Sequence, residues 1–181
     1  ANHLSRARKP RGCIYAVPLR ALTTEKFERF QSIFGSRGVF ASSSDYQQFD
    51  WYILNREFSI AVVVYEKLYT WLLNPAYAQK VLTQTGLLII DEMHMLSDVQ
   101  RGAKLEMILT FVRQHQTRQN LRIIGLATDQ QALSKVQGWL DARSISVAPE
   151  QRPVPLVEGY IQTNGEVHLQ PLPERLSKNL P

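Results

Sequence analysis

Short apolar runs alternate with segments of helical period along the chain as far as Arg143. Four runs are rich in valine, isoleucine and leucine and have the length of buried strands: Cys13 to Val17, Ser59 to Val64, Leu87 to Ile90 and Leu121 to Leu126. Between them, apolar residues recur at helical spacing in three stripes: Phe27, Phe30 and Phe34; Leu105, Ile108, Leu109 and Val112; Leu133, Val136 and Leu140. Thr23-Thr24-Glu25 is expected to cap the first of these helices. The alternation predicts an α/β fold, a parallel sheet with helices on both faces.

The pattern changes after Arg143. Three prolines there disfavour helix and indicate a connector: Pro149, Pro153 and Pro155. Beyond them, Asn164-Gly165 is a strong signal for a tight β-hairpin turn. The two segments expected to pair across that turn are Leu156 to Gln162 and Glu166 to Gln170. We therefore predict an α/β domain over residues 1–148, followed over residues 149–181 by a connector and a C-terminal β-hairpin that leads to a next domain.

Composition narrows the class of protein without identifying it. The 181 residues are 44% hydrophobic and 20% charged, which suits a globular domain with a sizeable core. The apolar runs are too short to cross a bilayer and no basic-then-apolar leader opens the chain, so no membrane partner is expected. Cys13 is the one cysteine, which excludes an internal disulfide framework. The net charge of +5 permits an anionic partner such as nucleic acid but does not require one.

Two carboxylates directly follow the third apolar run, in Asp91-Glu92. Burying ionised carboxylates at the end of a hydrophobic strand is costly unless something compensates them. Ligands of open parallel sheets bind beyond the carboxyl ends of the strands, and Mg²⁺ is held by one or two carboxylates together with phosphates and waters. His94, two residues on, could sense a bound phosphate. The alternative is a solvated turn with a partly buried histidine, and from these residues alone the two interpretations are equally matched.

The run Leu88-Ile89-Ile90-Asp91-Glu92-Met93-His94 resembles motif II of the DExH-box superfamily 2 helicases. Further segments resemble, in the right order, other parts of the Ski-type branch of that family: Pro18-Leu19-Arg20-Ala21-Leu22 with Glu25-Lys26 (motif Ia), Tyr65-Glu66-Lys67 (motif Ib), Arg101-Gly102 with Leu105-Glu106 (the helix after motif II), Arg122-Ile123-Ile124-Gly125-Leu126 (the approach to motif III), Trp139-Leu140-Asp141-Ala142 (the helix after it) and Arg152-Pro153-Val154-Pro155-Leu156 (the following connector). The resemblance covers nearly the whole chain and is nearest to the archaeal-type DNA repair helicases.

What this resemblance implies is the first RecA-like domain of a two-domain motor that uses ATP and Mg²⁺. Asp91 would ligate Mg²⁺, Glu92 would act on the attacking water, and His94 would couple hydrolysis to strand movement. A second set of residues would contact nucleic acid: Pro18, Arg20, Ser43, Tyr65 and Lys67. The implied partners are single-stranded or forked DNA, with RNA as the lesser candidate, and the remaining helicase domains of the same protein. The resemblance also implies that the protein is localised in the cytoplasm of a prokaryote or in the nucleus of a eukaryote.

Three features depart from the family pattern. No G-x-x-x-x-G-K-[ST] phosphate loop occurs in the chain, so we expect the sequence to begin just downstream of that loop and the sheet to be incomplete at its N-terminus. The Ser-Ala-Thr of motif III, which couples hydrolysis to unwinding, is replaced by Ala127, Thr128 and Asp129. The Thr-Gly-Asp element before motif Ib reads Ser43-Ser44-Asp45.

These departures leave two main hypotheses. The first is an active helicase of which this chain supplies the Mg-ATP motif and the nucleic-acid contacts, the chain alone being inactive. The alternative is a catalytically inactive helicase-like module that binds nucleic acid or protein. A purely structural α/β domain would require the ordered motif series to be coincidence.

Overall fold

The first of two units, Ala1–Ala142, contains in its described part five parallel strands, five α-helices and a further helical segment at residues 136–140. The second unit is Arg143–Pro181. The computed structural model describes residues 11–55, 58–128, 136–146 and 159–169. In chain order the elements of the first unit are β1 (Gly12–Val17), α1 (Arg20–Phe34), β2 (Val39–Ser42), α2 (Asp50–Leu54), β3 (Ile60–Val64), α3 (Tyr65–Leu73), α4 (Pro75–Gln84), β4 (Thr85–Ile90), α5 (Gly102–Gln119) and β5 (Arg122–Gly125). Short 3-10 helices precede α2 (Gln47–Phe49) and follow β4 (Met93–Ser97).

The strands lie in the order β2-β3-β1-β4-β5, and every neighbouring pair is parallel. One face of the sheet packs against α3, α4 and α5, and its strand residues are almost fully buried: Ile14, Ala16, Leu88 and Ile90. The predicted stripe of α5 lies entirely in this core, with Leu105, Ile108, Leu109 and Val112 at most 1% exposed. On the other face Val17 and Val62 pack with Phe27 of α1. The predicted α/β fold, a parallel sheet with helices on both faces, is confirmed.

Two details of the first unit differ from the sequence prediction. Strand β2, four residues long, was not predicted, because a run this short carries little periodicity. Helix α1 begins at Arg20 rather than after the threonines, and no side chain caps its first turn. Thr23 is instead fully buried inside the helix, where its hydroxyl donates to the Leu19 carbonyl at 3.4 Å. Of the third predicted helical stripe, residues 136–140 are helical, and Leu133 lies outside the described residues.

The second unit contains the predicted hairpin, formed by β6 (Gly159–Ile161) and β7 (Val167–Leu169), which pair antiparallel. Gly165 takes a positive φ of 88° in the turn, and the Asn164 Oδ1 accepts a hydrogen bond from the Glu166 amide at 3.0 Å. The strands are shorter than the predicted segments. Residues 147–158, with the three prolines and the predicted domain boundary, lie outside the described residues, and the boundary at 148/149 stays a prediction.

In the described ranges of both units, no helix combines the length and the hydrophobicity that crossing a membrane requires.

Candidate functional site

Strand β4 ends at Ile90 and delivers Asp91 to the carboxyl edge of the sheet. The Asp91 amide donates to the Ala16 carbonyl of β1 at 2.9 Å, so β1 fixes the backbone at this point. The Tyr15 hydroxyl donates to Asp91 Oδ2 at 3.0 Å, and the Tyr65 hydroxyl donates to the Asp91 carbonyl oxygen. The other carboxylate oxygen, Oδ1, accepts from the Glu92 amide at 3.1 Å. Asp91 is therefore held on its backbone and on both carboxylate oxygens.

The two tyrosines act as protonated donors. Burial raises the pKa of Tyr15, and the hydrogen bond to Asp91 and the charge of that carboxylate raise it further. Burial likewise raises the pKa of Tyr65, with the nearby carboxylates of Asp91 and Glu92 adding to the shift. Both hydroxyls consequently keep their protons at neutral pH. Tyr65 is 1% exposed and belongs to the core of the sheet and helices.

Glu92 occupies the left-handed region of backbone conformation, with φ 52° and ψ 44°. Residues other than glycine rarely adopt this conformation, and such strain clusters at functional sites. Leu126, the residue directly after β5, holds the turn on both sides, since its amide donates to the Ile90 carbonyl at 2.8 Å and its carbonyl accepts the Met93 amide at 2.7 Å. Asp91 and Glu92 thus form a loop held at its base, with the Glu92 side chain 37% exposed.

His94 lies between the turn after β4 and the segment after β5. Its Nδ1 is 3.2 Å from Glu92 Oε2 and 3.4 Å from the Thr128 hydroxyl. A proton on Nδ1 satisfies the Glu92 carboxylate, which favours that tautomer. Of the three predicted coupling residues, Thr128 is the one placed beside His94. Ala127 packs against the core, and Asp129 lies outside the described residues.

The chemistry of this carboxylate edge fits Mg²⁺. Among the described residues, no three histidine, cysteine, aspartate or glutamate side chains are placed to hold a metal together. Mg²⁺ does not need such a cage, because it usually keeps several waters and takes one or two carboxylates together with substrate phosphates. Each Asp91 oxygen accepts one hydrogen bond here and has a lone pair left. Asp91 can therefore serve as a protein ligand of a phosphate-bound cation.

A basic groove of about 460 Å³ opens at the starts of α1, α3 and α5. It is lined by Pro18, Leu19, Arg20, Ser44, Gln47, Val64, Glu66, Lys67, Thr70 and Arg101. Three of these side chains are cationic and one is anionic, and the anionic one, Glu66, is 3.9 Å from Lys104. Helix N-termini carry unpaired amides and a positive partial charge, which adds to the field of the cations. The groove is suited to bind the phosphates of an extended anion.

Three of the five residues predicted to contact nucleic acid line this groove: Pro18, Arg20 and Lys67. The other two, Ser43 and Tyr65, are 0% and 1% exposed, and the Ser43 hydroxyl accepts the Asp45 amide at 3.1 Å. A direct contact by these two side chains would require them to leave the core.

Arg101 is a groove residue that sequence reasoning did not assign to nucleic acid. It is positioned by Asp98, whose Oδ1 accepts the Gln100 amide at 2.9 Å and the Arg101 amide at 2.8 Å. These two hydrogen bonds hold the Asp98 pKa below its usual value. Gly102 then allows the chain to pass the Leu96 carbonyl oxygen, which would lie 2.4 Å from a Cβ at this position. The Arg-Gly pair before a strong helical stripe was the available sequence signal.

Comparisons with known proteins show which family the chain resembles. The DEAD/DEAH box helicase family model matches residues 1–134. Proteins named ATP-dependent DNA helicase Hel308 are similar along most of the chain. The one from Pyrobaculum calidifontis is 36% identical over 149 residues, 82% of this chain and 20% of its own length. Its counterparts from Caldivirga maquilingensis and Thermoplasma volcanium are 36% and 32% identical, over 81% and 83% of this chain and 18% and 21% of their own lengths.

The chain thus spans about a fifth of the length of these curated relatives. Because the family model matches well over half of the chain, and because the Hel308 proteins are similar to it over 81–83% of its length, the resemblance predicted from the sequence is confirmed. The chain belongs to the DEAD/DEAH box helicase family of superfamily 2.

Proposed function

We propose that this chain supplies the Mg-ATP carboxylates and part of the nucleic-acid surface of an ATP-dependent DNA helicase. The observation that carries the proposal is the juxtaposition at one edge of the sheet. Asp91, Glu92 and His94 follow β4, and the basic groove opens at helices that follow β1, β3 and β4. In open parallel sheets this is the edge at which ligands bind. DNA is favoured over RNA because the Hel308 relatives are named DNA helicases.

Each residue of the motif after β4 has a role that fits its contacts. Asp91, oriented by Tyr15, presents a carboxylate to the cation that accompanies ATP. Bound Mg²⁺ would neutralise phosphate charge as the terminal phosphoryl group is transferred. Glu92 reaches into solvent on its strained backbone and accepts a proton from the attacking water. His94 links Glu92 to Thr128, so a change at the nucleotide reaches the segment after β5.

The groove residues would hold the strand by its phosphates. Arg20 begins α1 and Arg101 precedes α5, so each cation adds to the positive end of a helix. Contacts of this kind are independent of base sequence, as a motor that moves along DNA requires. Tyr65 and Ser43 support the surface from beneath, through the core.

The second candidate is a helicase-like module that binds nucleic acid without hydrolysis. One observation favours it. Ala127 stands where the family's motif III has a serine, so Thr128 is the one hydroxyl beside His94 in the part of the motif that the structure describes. In this candidate function the groove still binds nucleic acid, but Glu92 has no catalytic role. A measurement of ATP hydrolysis therefore separates the binding module from the active helicase.

Arg20→Ala is expected to weaken binding of a fluorescein-labelled oligothymidylate by the 181-residue chain. Removing one phosphate contact should make the negative slope of log affinity against log salt concentration less steep by about 0.7, the value per phosphate for single strands. The measurement is fluorescence anisotropy over a series of salt concentrations.

Arg29→Ala is the matched control, since Arg29 is exposed on the same helix and lies outside the groove lining. Equal effects of the two substitutions, or binding that does not respond to salt, would show that the groove is not the interface.

A further inference from the structure

Lys67 faces the groove already paired with a carboxylate. Its Nζ lies 2.5 Å from Oδ2 of Asp50, and the two side chains are 24% and 22% exposed. The other oxygen of Asp50, Oδ1, accepts the Ser42 hydroxyl at 2.5 Å. Ser42 is fully buried at the end of β2, so it anchors Asp50 to the sheet. The Lys67–Asp50 pair is therefore fixed from below, unlike a loose ion pair between two mobile surface side chains.

This pairing changes what Lys67 can offer a phosphate. Arg20 and Arg101 line the groove with exposed or half-exposed side chains, whereas the Lys67 ammonium has a carboxylate at contact distance. A phosphate that approaches Lys67 meets the negative charge of Asp50 as well. Like charges close together repel, and the attraction of the ammonium is divided between two anions.

Resting on the function proposed above, we propose that Asp50 competes with nucleic-acid phosphate for Lys67 and so lowers the affinity of the groove. Two groove cations, Arg20 and Arg101, are then always available to phosphate. The third, Lys67, is occupied by Asp50 and contacts phosphate only in competition with that carboxylate. A weakened contact favours release of the strand, which a motor must perform at every step along it. Ser42 takes part as a positioning residue, because it holds the carboxylate where it meets Lys67.

Asp50→Asn tests this inference. The asparagine keeps the shape and can still accept the Ser42 hydroxyl, while the charge that occupies Lys67 is removed. Binding of labelled oligothymidylate should become about threefold to fivefold tighter at low salt, the range of a partly exposed ion pair. The salt slope should steepen by about 0.7, since Lys67 would now displace a counterion from one more phosphate.

Glu28→Gln is the matched control, because it makes the same change in net charge at an exposed position of α1 outside the groove lining. An Asp50→Asn chain that binds like the Glu28→Gln chain, or more weakly than wild type, would overturn the inference.

The double variant Asp50→Asn with Lys67→Gln replaces the ion pair by a neutral one and keeps the net charge. It should bind within about twofold of wild type, because Lys67 contributes little while Asp50 holds it. A loss as large as that of Arg20→Ala would mean that Lys67 already contacts phosphate, and would also overturn the inference. A wild-type chain that does not bind at all overturns the proposed function, and the inference with it, so the two failures are distinguishable.

Discussion

Glu92→Gln is expected to abolish ATP hydrolysis in a full-length helicase that carries this segment, with binding of ATP and DNA retained. The amide is nearly isosteric with the carboxylate but cannot accept a proton from the attacking water. General-base catalysis contributes about 10²–10⁴-fold, so a loss of that size in kcat is expected. Because the Glu92 side chain is 37% exposed and the turn that carries it is held by the backbone of Leu126, the fold should not change. The measurement is steady-state hydrolysis with saturating single-stranded DNA.

Glu106→Gln provides the matched control. It makes the same chemical change as Glu92→Gln, but at an exposed position of α5 away from the turn. The isolated 181-residue chain should show no DNA-stimulated hydrolysis above its own Glu92→Gln variant. Full activity of the Glu92→Gln protein would remove the catalytic role assigned to this carboxylate, whereas a wild-type protein that binds DNA without hydrolysing ATP would favour the binding module.

Tyr65→Ala is expected to lower the free energy of unfolding by about 3–5 kcal/mol, the range for truncating a large buried aromatic side chain. Tyr65→Phe keeps the ring and removes the hydrogen bond to the Asp91 carbonyl oxygen, so about 1–3 kcal/mol is expected. The difference between the variants separates packing from hydrogen bonding. Urea denaturation of the isolated chain measures both values.

Alkaline pH provides a second measurement on Tyr65. Its folded-state pKa is raised above the unfolded value of about 10, so the neutral hydroxyl contributes its full stability below that pH. The contribution is lost as the pH rises from there towards the folded-state pKa. Tyr65→Phe should therefore lose stability less steeply above pH 10 than wild type, with Tyr15 accounting for part of the remaining decline. Parallel curves of stability against pH for the two proteins would mean that the fold does not raise the pKa of Tyr65.

Tyr65→Phe should also leave oligothymidylate binding unchanged, because the side chain lies in the core. Sequence reasoning places Tyr65 among the nucleic-acid contacts because it stands beside Lys67 in motif Ib. Neighbours in sequence point to different sides of a helix, and at the start of α3 one residue enters the core while the other reaches the groove. A motif match specifies the segment but does not by itself say which side chains are exposed.

The long elements of the fold could be predicted because their hydrophobic patterns are regular. The α5 stripe and the strands ending at Val17, Val64 and Ile90 are examples. Strand β2 could not be predicted from the sequence, because four residues give too little periodicity. Its place at the sheet edge is set by its pairing with β3.

The contacts that organise the site could not be predicted from one sequence, because the residues that make them are far apart in the chain. Tyr15 and Asp91 are 76 positions apart, and His94 and Thr128 are 34 apart. The Ser42–Asp50–Lys67 arrangement joins a strand and two helices. Only the packed sheet brings such residues together, whereas the Asp91-Glu92 pair is visible because both carboxylates follow one apolar strand.

Hydrogen–deuterium exchange of the isolated chain, with and without oligothymidylate, tests the central claim most directly. At short labelling times, added oligothymidylate should slow exchange in the first turns of α1, α3 and α5, where the helix N-termini and the groove cations meet the strand. The β6–β7 hairpin should be unaffected. Binding that leaves those three helix starts unprotected, or that protects the hairpin alone, would contradict the account.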